Sequence, residues 1–144
     1  MATSGRHDPY GSFNFLVEID SLTAATFSEC TGLSSEIDVI RYREGGDPRV
    51  RLLPGQTTYS RITLKRGITA DLSLWQWHKA VSSGQLDRRN GSIVLLDAER
   101  KEVARWNFQQ GWPAKYEGPS LNAAGNDVAI ETVEIVHEGL DRVS

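Results

Sequence analysis

The chain has 144 residues, with 16 Lys and Arg against 19 Asp and Glu and a formal net charge of −3. This length predicts a single domain over residues 1–144, and the charge balance excludes the basic footprint of a typical nucleic-acid binder. The only cysteine, Cys30, cannot form an internal disulfide, and the polar start from Met1 to Asp8 offers no apolar stretch for a signal peptide. We therefore expect synthesis in the cytoplasm and no stable membrane anchoring.

Three strands are expected in the first part of the chain, after a flexible N-terminal arm over residues 1–11. Apolar side chains occupy every second position from Phe13 to Ile19, which is the period of a strand with one buried face. Residues 24–31 and 35–43 predict two more strands, because turn-forming residues separate them and the second is rich in β-branched side chains.

A long extended loop is predicted over about Glu44 to Tyr59. This stretch contains three groups of turn-forming residues, Gly45-Gly46, Asp47-Pro48 and Pro54-Gly55. Loops longer than about a dozen residues in a compact domain are usually functional or disordered, and ordering each residue costs about 1 to 2 kcal/mol. We therefore expect a partner to order the loop. Four basic residues surround it: Arg41, Arg43, Arg49 and Arg51.

The strand after this loop, ending at Gly67, has two chemically different faces. Ile62 and Leu64 point one way, and Arg61, Thr63 and Lys65 point the other way. The polar face is therefore expected to contact solvent or another subunit.

One helix is predicted, over about Leu72 to Ser83. Asp71 is a suitable N-cap, apolar residues follow at spacings of three and four, and Gly84 can end the helix in a left-handed conformation. The tryptophans of this helix, Trp75 and Trp77, are expected to be core residues, as is Trp106 in a later strand.

The next two strands are expected to pair with each other. Ile93 to Leu96 is apolar at successive positions, which predicts a central strand covered on both faces. Val103 to Phe108 follows a polar turn and should pair back onto it, and Gly111-Trp112-Pro113 should end that strand.

The last predicted strand runs from Val128 to Glu138. Ile130 is out of phase with Val133 and Ile135, which suggests a bulge or burial on both faces. The predicted fold is therefore mainly β: an antiparallel β-sandwich or barrel of about seven strands with one flanking α-helix. Such a fold has open edges that invite pairing with another chain.

No catalytic, cofactor-binding or metal-binding motif is found in the sequence. The three histidines are far apart, and Cys30 has no cysteine partner at a zinc-site spacing. Neither a nucleophile elbow nor a phosphate-binding loop occurs. His137 is interpreted as a surface ion-pair residue, and Cys30 as unreactive because Glu29 precedes it. We expect no enzyme activity and no cofactor.

Opposite charges are separated along the chain. Residues 41–51 carry a net charge of +2, and residues 122–144, which include Glu134 and Glu138, carry −4. A second copy of the same chain is therefore a complementary partner, and such head-to-tail contacts produce rings or filaments. The alternative, that both segments are merely solvated surfaces, stays open.

From about Asp8 to Leu140 the sequence resembles the tube proteins of contractile phage tails, a family that also includes the inner-tube proteins of R-type tailocins and extracellular contractile injection systems. The motifs that carry this resemblance are Phe15-x-Val17-x-Ile19, Thr31-Gly32-Leu33, Gly45-Gly46, Leu53-Pro54-Gly55, Ile62 to Gly67, Trp75 to Trp77, Ile93 to Leu95, Trp106, Trp112 to Tyr116, and Ala129 to Leu140.

The resemblance implies a structural subunit that forms hexameric rings, which stack into a hollow rigid tube inside a sheath. Its expected partners are other copies of itself, sheath, baseplate and tube-terminator proteins, and DNA or protein cargo in the lumen. The expected location is a virion tail or a released extracellular particle. Candidate interface residues are Arg41, Arg43, Gly45, Gly46, Arg49, Arg51, Pro54, Gly55, Glu134 and Glu138, and candidates for the lumen or an interface are Arg61, Thr63 and Lys65.

Two other functions stay open from the sequence. One is a tube initiator or baseplate adaptor of the same machine, which would form one ring and stop. The other is a small-ligand-binding β-barrel, which would be a monomer with an enclosed pocket. The sequence also does not distinguish a phage from a tailocin or an extracellular injection system.

Overall fold

The computed structural model describes residues 8–22 and 26–144. Within these residues the chain forms nine strands and one helix. In chain order they are β1 (Phe15–Ile19), β2 (Glu29–Thr31), β3 (Ser35–Tyr42), β4 (Arg51–Tyr59), β5 (Ile62–Gly67), α1 (Ser73–Ser82), β6 (Arg89–Leu96), β7 (Glu102–Glu117), β8 (Ile130–Val136) and β9 (Gly139–Arg142).

Seven of the strands form two antiparallel layers that share β7. The first layer has the order β1-β6-β7-β9 and the second has the order β7-β8-β5-β2. Residues 102–111 of β7 pair in the first layer, and residues 112–117 pair with β8 in the second. The mainly β fold with one flanking helix is therefore confirmed. The two remaining strands, β3 and β4, pair only with each other.

The core lies between the two layers and is closed on one side by α1. The first layer contributes Val17, Ile19, Ile93 and Phe108, and the second contributes Ile62, Leu64, Val133 and Ile135. From α1, Leu74 and Trp77 are each 1% exposed. Ile93 and Val94 are adjacent and both buried, which confirms that β6 is covered on both faces.

Phe108 fills a space that two glycines leave free. A Cβ added at Gly91 would lie 2.4 Å from the Phe108 ring, and one added at Gly111 would lie 2.6 Å from it. Both distances are far below van der Waals contact, so this ring can be buried here only because both positions lack a side chain.

The prediction that Gly111-Trp112-Pro113 ends a strand is wrong, because β7 continues through these residues while changing layers. Gln110 has a φ of 55° at the crossing, and the register shifts between Pro113 and Lys115. Pro113 lies in the part of β7 that pairs only with β8, so its missing N–H removes no bond to a second neighbour.

Two predictions for the early strands need correction. β1 begins at Phe15, and Phe13 is 78% exposed, outside the strand. Of the predicted strand over residues 24–31, only Glu29–Thr31 is a strand, and residues 24 and 25 lie outside the described residues. The predicted flexible arm over residues 1–11 falls largely on residues 1–7, which also lie outside them.

The helix prediction is confirmed to within one residue at each end. Asp71 precedes the cap position, and its Oδ1 accepts a hydrogen bond from the backbone N–H of Ser73 at 2.9 Å. Trp77 is a core residue, as predicted, but Trp75 is 44% exposed. Two residues along a helix correspond to a rotation of about 200°, so only one of these side chains can face the core.

The predicted loop from Glu44 to Tyr59 is wrong over its second half, because residues 51–59 form β4. Pro54 and Gly55 lie at a bulge instead of a turn: Ile37 is opposite Thr57, but Val39 is opposite Pro54, so β4 contains one extra residue. A Cβ at Gly55 would lie 3.0 Å from the carbonyl oxygen of Asp38. The absent side chain thus lets the two backbones approach.

β8 has regular alternation, contrary to the predicted irregularity. Glu131 takes the inward position before Val133 and Ile135, which puts Ile130 on the opposite face. The bulge in this pair of strands is on β7, at Ala114. The short strand β9 was not predicted.

Candidate assembly surface

The β3–β4 hairpin extends away from the two layers and is exposed almost throughout. All eight residues of β3 are exposed, as are seven of the nine in β4. A two-stranded hairpin is only marginally stable in water unless another surface covers it. The hairpin therefore has the form of an arm that lacks a packing partner within the described chain.

Both faces of this hairpin carry apolar side chains. Residues directly opposite each other point to the same face, so the register separates the side chains into two sets. One face carries Ile37, Val39, Leu52 and Pro54, and the other carries Ile40, Tyr42 and Leu53. Apart from Pro54, these side chains are between 45% and 64% exposed. Contiguous exposed apolar surface of this kind marks an interaction site.

The tip of the hairpin, residues 43–50, is held by its own polar contacts. Arg43 Nη2 donates to the carbonyl oxygen of Pro48 at 3.1 Å, and the backbone N–H of Arg49 donates to Asp47 Oδ1 at 2.9 Å. Gly46 has a φ of +86°, which favours glycine. The tip therefore presents its arginines on an organised turn.

A hydrogen bond joins the two ends of the hairpin at its base. The hydroxyl oxygens of Ser34 and Ser60 are 2.6 Å apart and hydrogen-bonded. Gly32 has a φ of +94°, and a Cβ there would lie 1.9 Å from the carbonyl oxygen of Arg61. The chain thus enters the hairpin at a point where two backbone segments approach so closely that only glycine fits at position 32.

The predicted interface residues fall into two separate regions. Eight of them lie on the hairpin: Arg41, Arg43, Gly45, Gly46, Arg49, Arg51, Pro54 and Gly55. The other two, Glu134 and Glu138, lie elsewhere and have partners within the chain. Glu134 pairs with Arg61 at 3.2 Å and with Lys115 at 3.7 Å, and Glu138 pairs with Arg88. The acidic segment is therefore less available for another copy than its sequence charge indicates.

The outer face of the second layer is polar, and its charged side chains largely pair with one another. Thr63 lies beside Thr31 and Glu134, and Lys65 lies between Glu29 and Thr132. Lys65 Nζ is 3.4 Å from a Glu29 carboxylate oxygen. The predicted alternation of β5 is confirmed, because Arg61, Thr63 and Lys65 point outward while Ile62 and Leu64 are fully buried.

A buried ion pair connects this layer to the start of α1, and the sequence analysis missed it. Arg66 Nε is 2.7 Å from Glu131 Oε2, and the Tyr116 hydroxyl donates to Glu131 Oε1 at 2.8 Å. Arg66 Nη1 also lies 3.3 Å from Asp71 Oδ2. The sequence does contain an indication of this pair, because Arg66 and Glu131 both take inward positions in the alternation of their strands. In the structure they lie directly opposite each other.

These contacts shift two pKa values. Burial and the nearby Glu131 carboxylate raise the pKa of Tyr116. Hydrogen bonds from Ser73, with a further contribution from Arg66, lower the pKa of Asp71. Asp71 therefore stays charged beside the first turn of α1, where a carboxylate is favoured.

His137 is not the surface ion-pair residue that the sequence suggested. Its Nδ1 is 3.0 Å from the carbonyl oxygen of Gly139, and Nε2 is buried without a hydrogen-bond partner among the described residues. The ring lies between Tyr59, at a centroid distance of 5.4 Å, and Phe108, at 6.0 Å. Burial lowers the pKa of His137 despite the opposing effect of the Gly139 and Ser60 carbonyl groups.

The remaining titratable candidates have structural roles. Burial raises the pKa of the Cys30 thiol to about 11, so the reactive thiolate is scarce near neutral pH. His78 Nδ1 is 2.9 Å from the carbonyl oxygen of Pro113 and so links α1 to β7.

Residues 8–22 and 26–144 contain no group of three or more His, Cys, Asp or Glu side chains that could hold a metal ion. In the same part of the chain no helix is long and apolar enough to cross a membrane.

Three solved structures contain chains with the same fold. A chain of the anti-feeding prophage baseplate is 25% identical, with a TM-score of 0.86, covering 96% of this chain and 97% of that chain. A chain of the anti-feeding prophage tube-terminating cap is 21% identical, with a TM-score of 0.90 and coverages of 99% and 96%. A chain of the extended PVC sheath-tube complex, from an extracellular contractile injection system, is 23% identical, with a TM-score of 0.87 and coverages of 94% and 92%.

The search of curated proteins finds no match. The family model described as T4-like virus tail tube protein gp19 matches residues 11–141, which is nearly the whole chain. The chain therefore belongs to the T4-like virus tail tube protein gp19 family.

Proposed function

We propose that this chain is the structural subunit of the inner tube of a contractile injection machine, forming hexameric rings that stack into a hollow, rigid tube. Membership of the tail tube family supports this role. So do the related chains from a sheath-tube complex and a sixfold-symmetrised baseplate. The subunit acts mechanically and needs no catalytic group.

The exposed apolar hairpin is the observation that carries this proposal. A flat contact with one neighbour can cover only one of its two faces, and both faces carry large apolar side chains. Two neighbouring subunits, or two surfaces in adjacent rings, are needed to remove both from water. Burying each 100 Å² of apolar surface contributes about 2.5 kcal/mol. The gain from covering the hairpin is therefore realised only in an assembly.

The strands at the borders of the two layers supply a second means of association. Within the described part of the chain, β2 pairs only with β5, and residues 112–117 of β7 pair only with β8. Each border therefore has backbone groups that could pair with another strand, apart from the Pro113 carbonyl that contacts His78. Pairing of these borders between copies would continue the second layer around a ring. The outer face of that layer, with Arg61, Thr63 and Lys65, would then line the channel or an interface.

In this arrangement the expected partners are the sheath, the baseplate and the tube terminator, and the cargo is DNA or protein. The three similar chains come from a sheath-tube complex, a baseplate and a terminating cap, which supports this set of partners. The final location would be a virion tail or a released extracellular particle.

A tube initiator or baseplate adaptor is the second candidate function. The baseplate chain of the anti-feeding prophage is 25% identical and covers nearly the whole length, which favours it as a specific alternative. An initiator would form one ring and then stop, whereas a main tube protein continues to stack.

Electron microscopy of the purified protein over a range of concentrations tests the proposal. Long stacked filaments are expected for a main tube protein, isolated rings for an initiator, and neither for a monomeric barrel. Two double variants are compared. The test variant carries Val39→Glu and Leu52→Glu, and the control carries Leu86→Glu and Leu121→Glu. All four residues are exposed, but only the first two lie on the hairpin. Loss of assembly in the first pair alone is the expected result.

A further inference from the structure

A cleft of about 390 Å³ opens into the core between β1 and β2, the two strands at opposite ends of the strand order. Each of these strands pairs on one side only, with β6 and β5 respectively. The two layers therefore separate along this line and leave the core partly open. We call this opening the seam cleft.

The seam cleft is lined mainly by apolar side chains that belong to the core. Phe15, Leu95 and Trp106 line it from the first layer, and Cys30 and Leu33 line it from the second. Phe15, Cys30, Leu33 and Trp106 pack against the core but remain partly exposed. Apolar groups that could be fully buried are thus left in contact with water, and an apolar insert would cover them.

Among the described residues that line the seam cleft, Glu29 on β2 is the charged one. Its side chain is 52% exposed although it contacts Lys65. None of the lining residues within 8–22 and 26–144 is basic. The chemistry of the cleft therefore favours an occupant that combines apolar side chains with a positive charge.

The hairpin of the same chain has this combination on one face. Val39 and Leu52 are its most exposed apolar residues, at 63% and 64%. Arg41 lies directly opposite Leu52 and therefore points to the same side. Two apolar side chains and a cation are thus grouped on one short segment.

We propose that the β3–β4 hairpin of one copy inserts Val39 and Leu52 into the seam cleft of a second copy and places Arg41 beside that copy's Glu29. This inference rests on the proposed tube function and specifies which surface receives the arm. Hairpin and cleft are different surfaces of one molecule, so the contact is heterologous and continues from copy to copy instead of closing as a dimer.

The single cysteine of the chain gives a direct test. Cys30 lines the seam cleft, and Leu52→Cys adds a second thiol to the hairpin. The assembled variant is oxidised with copper–phenanthroline in air at alkaline pH, and the linked peptides are identified by mass spectrometry. The matched control is Leu121→Cys, another exposed leucine, 85% exposed and outside the hairpin. We expect an intermolecular link between positions 30 and 52, at least tenfold more abundant than a link between 30 and 121.

Alkylation of Cys30 in the unmodified chain provides a second measurement that does not depend on a variant. At alkaline pH, where more of the thiolate is present, iodoacetamide should label Cys30 in dispersed subunits and at least tenfold more slowly after assembly. If assembled particles form but Cys30 labels at an unchanged rate and links equally to both new cysteines, the seam-cleft proposal is overturned while the tube function stands. Labelling of Cys30 that is as slow in dispersed subunits as in assembled particles also overturns the proposal, because the cleft is then filled without a second copy. If the unmodified chain never assembles, both proposals fail.

Discussion

Gly91 on β6 lies directly across the ladder from Phe108 on β7, and the Phe108 ring occupies the space that a Cβ at position 91 would need. The ring is 1% exposed and packs in the core beside His137. One missing side chain on β6 therefore makes room for the fully buried Phe108 ring on β7.

Gly91→Ala is accordingly expected to destabilise the subunit. The added methyl group must displace the Phe108 ring, and overpacking of this kind costs about 1 to 3 kcal/mol. Urea unfolding followed by tryptophan fluorescence measures the change. Gly118→Ala is the control, because a Cβ there meets nothing within 4 Å. Equal stability of the two variants would show that Phe108 has room to move.

Arg66→Leu is expected to cost about 3 to 5 kcal/mol in the free energy of unfolding, because it leaves Glu131 charged and buried without its partner. The double variant Arg66→Met with Glu131→Leu should be more stable than Arg66→Leu, since no uncompensated charge remains. Arg61→Ala, which breaks an exposed pair with Glu134, should cost less than about 1 kcal/mol. Chemical denaturation of these three variants and the unmodified chain gives the comparison, and a double variant no more stable than Arg66→Leu would contradict it.

Stability should fall as the pH is lowered below 6.5, partly through His137. The ordinary pKa of this histidine is 6.5, and burial lowers it in the folded state. Between these two pKa values the unfolded chain binds a proton that the folded chain does not, so the free energy of unfolding rises with pH. His137→Gln should flatten this part of the pH profile of stability. The contribution of Asp71, whose pKa is below its ordinary 3.8, is lost only in stronger acid.

Removal of residues 36–58 should leave a folded subunit that cannot assemble. Ser35 and Tyr59 are directly opposite each other, so a two-residue Asn-Gly turn can join them. The hairpin pairs with no other strand, and its removal exposes no core residue of the two layers. Circular dichroism should show a retained cooperative thermal transition, and electron microscopy should show no filaments. Filaments formed by the shortened chain would rule out the arm as the assembly element.

Charge reversal at the tip, Arg49→Glu with Arg51→Glu, should weaken assembly most at low ionic strength, because salt screens exposed charges. Sedimentation of assembled material across a salt series measures the effect. Arg100→Glu with Lys101→Glu makes the same charge change in an exposed turn far from the hairpin in sequence and should assemble normally. An effect of equal size at every salt concentration would show that charge is not its cause.

The strand layers and the helix could be predicted from the sequence because their signals are local. The alternation in β5 and the helical spacing around Trp77 each follow from the burial of one face. The hairpin was taken for a loop because Pro54 and Gly55 usually mark turns, whereas here they form a bulge that only the register with β3 reveals. The Arg66–Glu131 pair was missed because inward-pointing charges break the apolar pattern on which strand prediction depends.

The sequence indicated the position of the candidate assembly surface in the chain but not its apolar character, and its role in assembly stays a prediction. The sequence directed attention to this segment through its basic residues, yet the segment also exposes large apolar side chains: Val39 and Leu52 are more exposed than the rest of the hairpin's apolar residues. The sequence pattern does not reveal that these side chains are exposed, since a strand with apolar residues on both faces is typically a buried strand. The ion pairs of Glu134 could not be predicted because its partners Arg61 and Lys115 are distant in sequence.

The 16-residue strand β7 belongs to both layers, so they are joined by continuous covalent backbone as well as by side-chain packing. A force that pulls one layer past the other would act along this strand and would have to break its hydrogen bonds with β6, β8 and β9 together. Simultaneous rupture of many bonds under shear requires more force than peeling them apart one at a time. A subunit constructed in this way is suited to resist shear between its two layers.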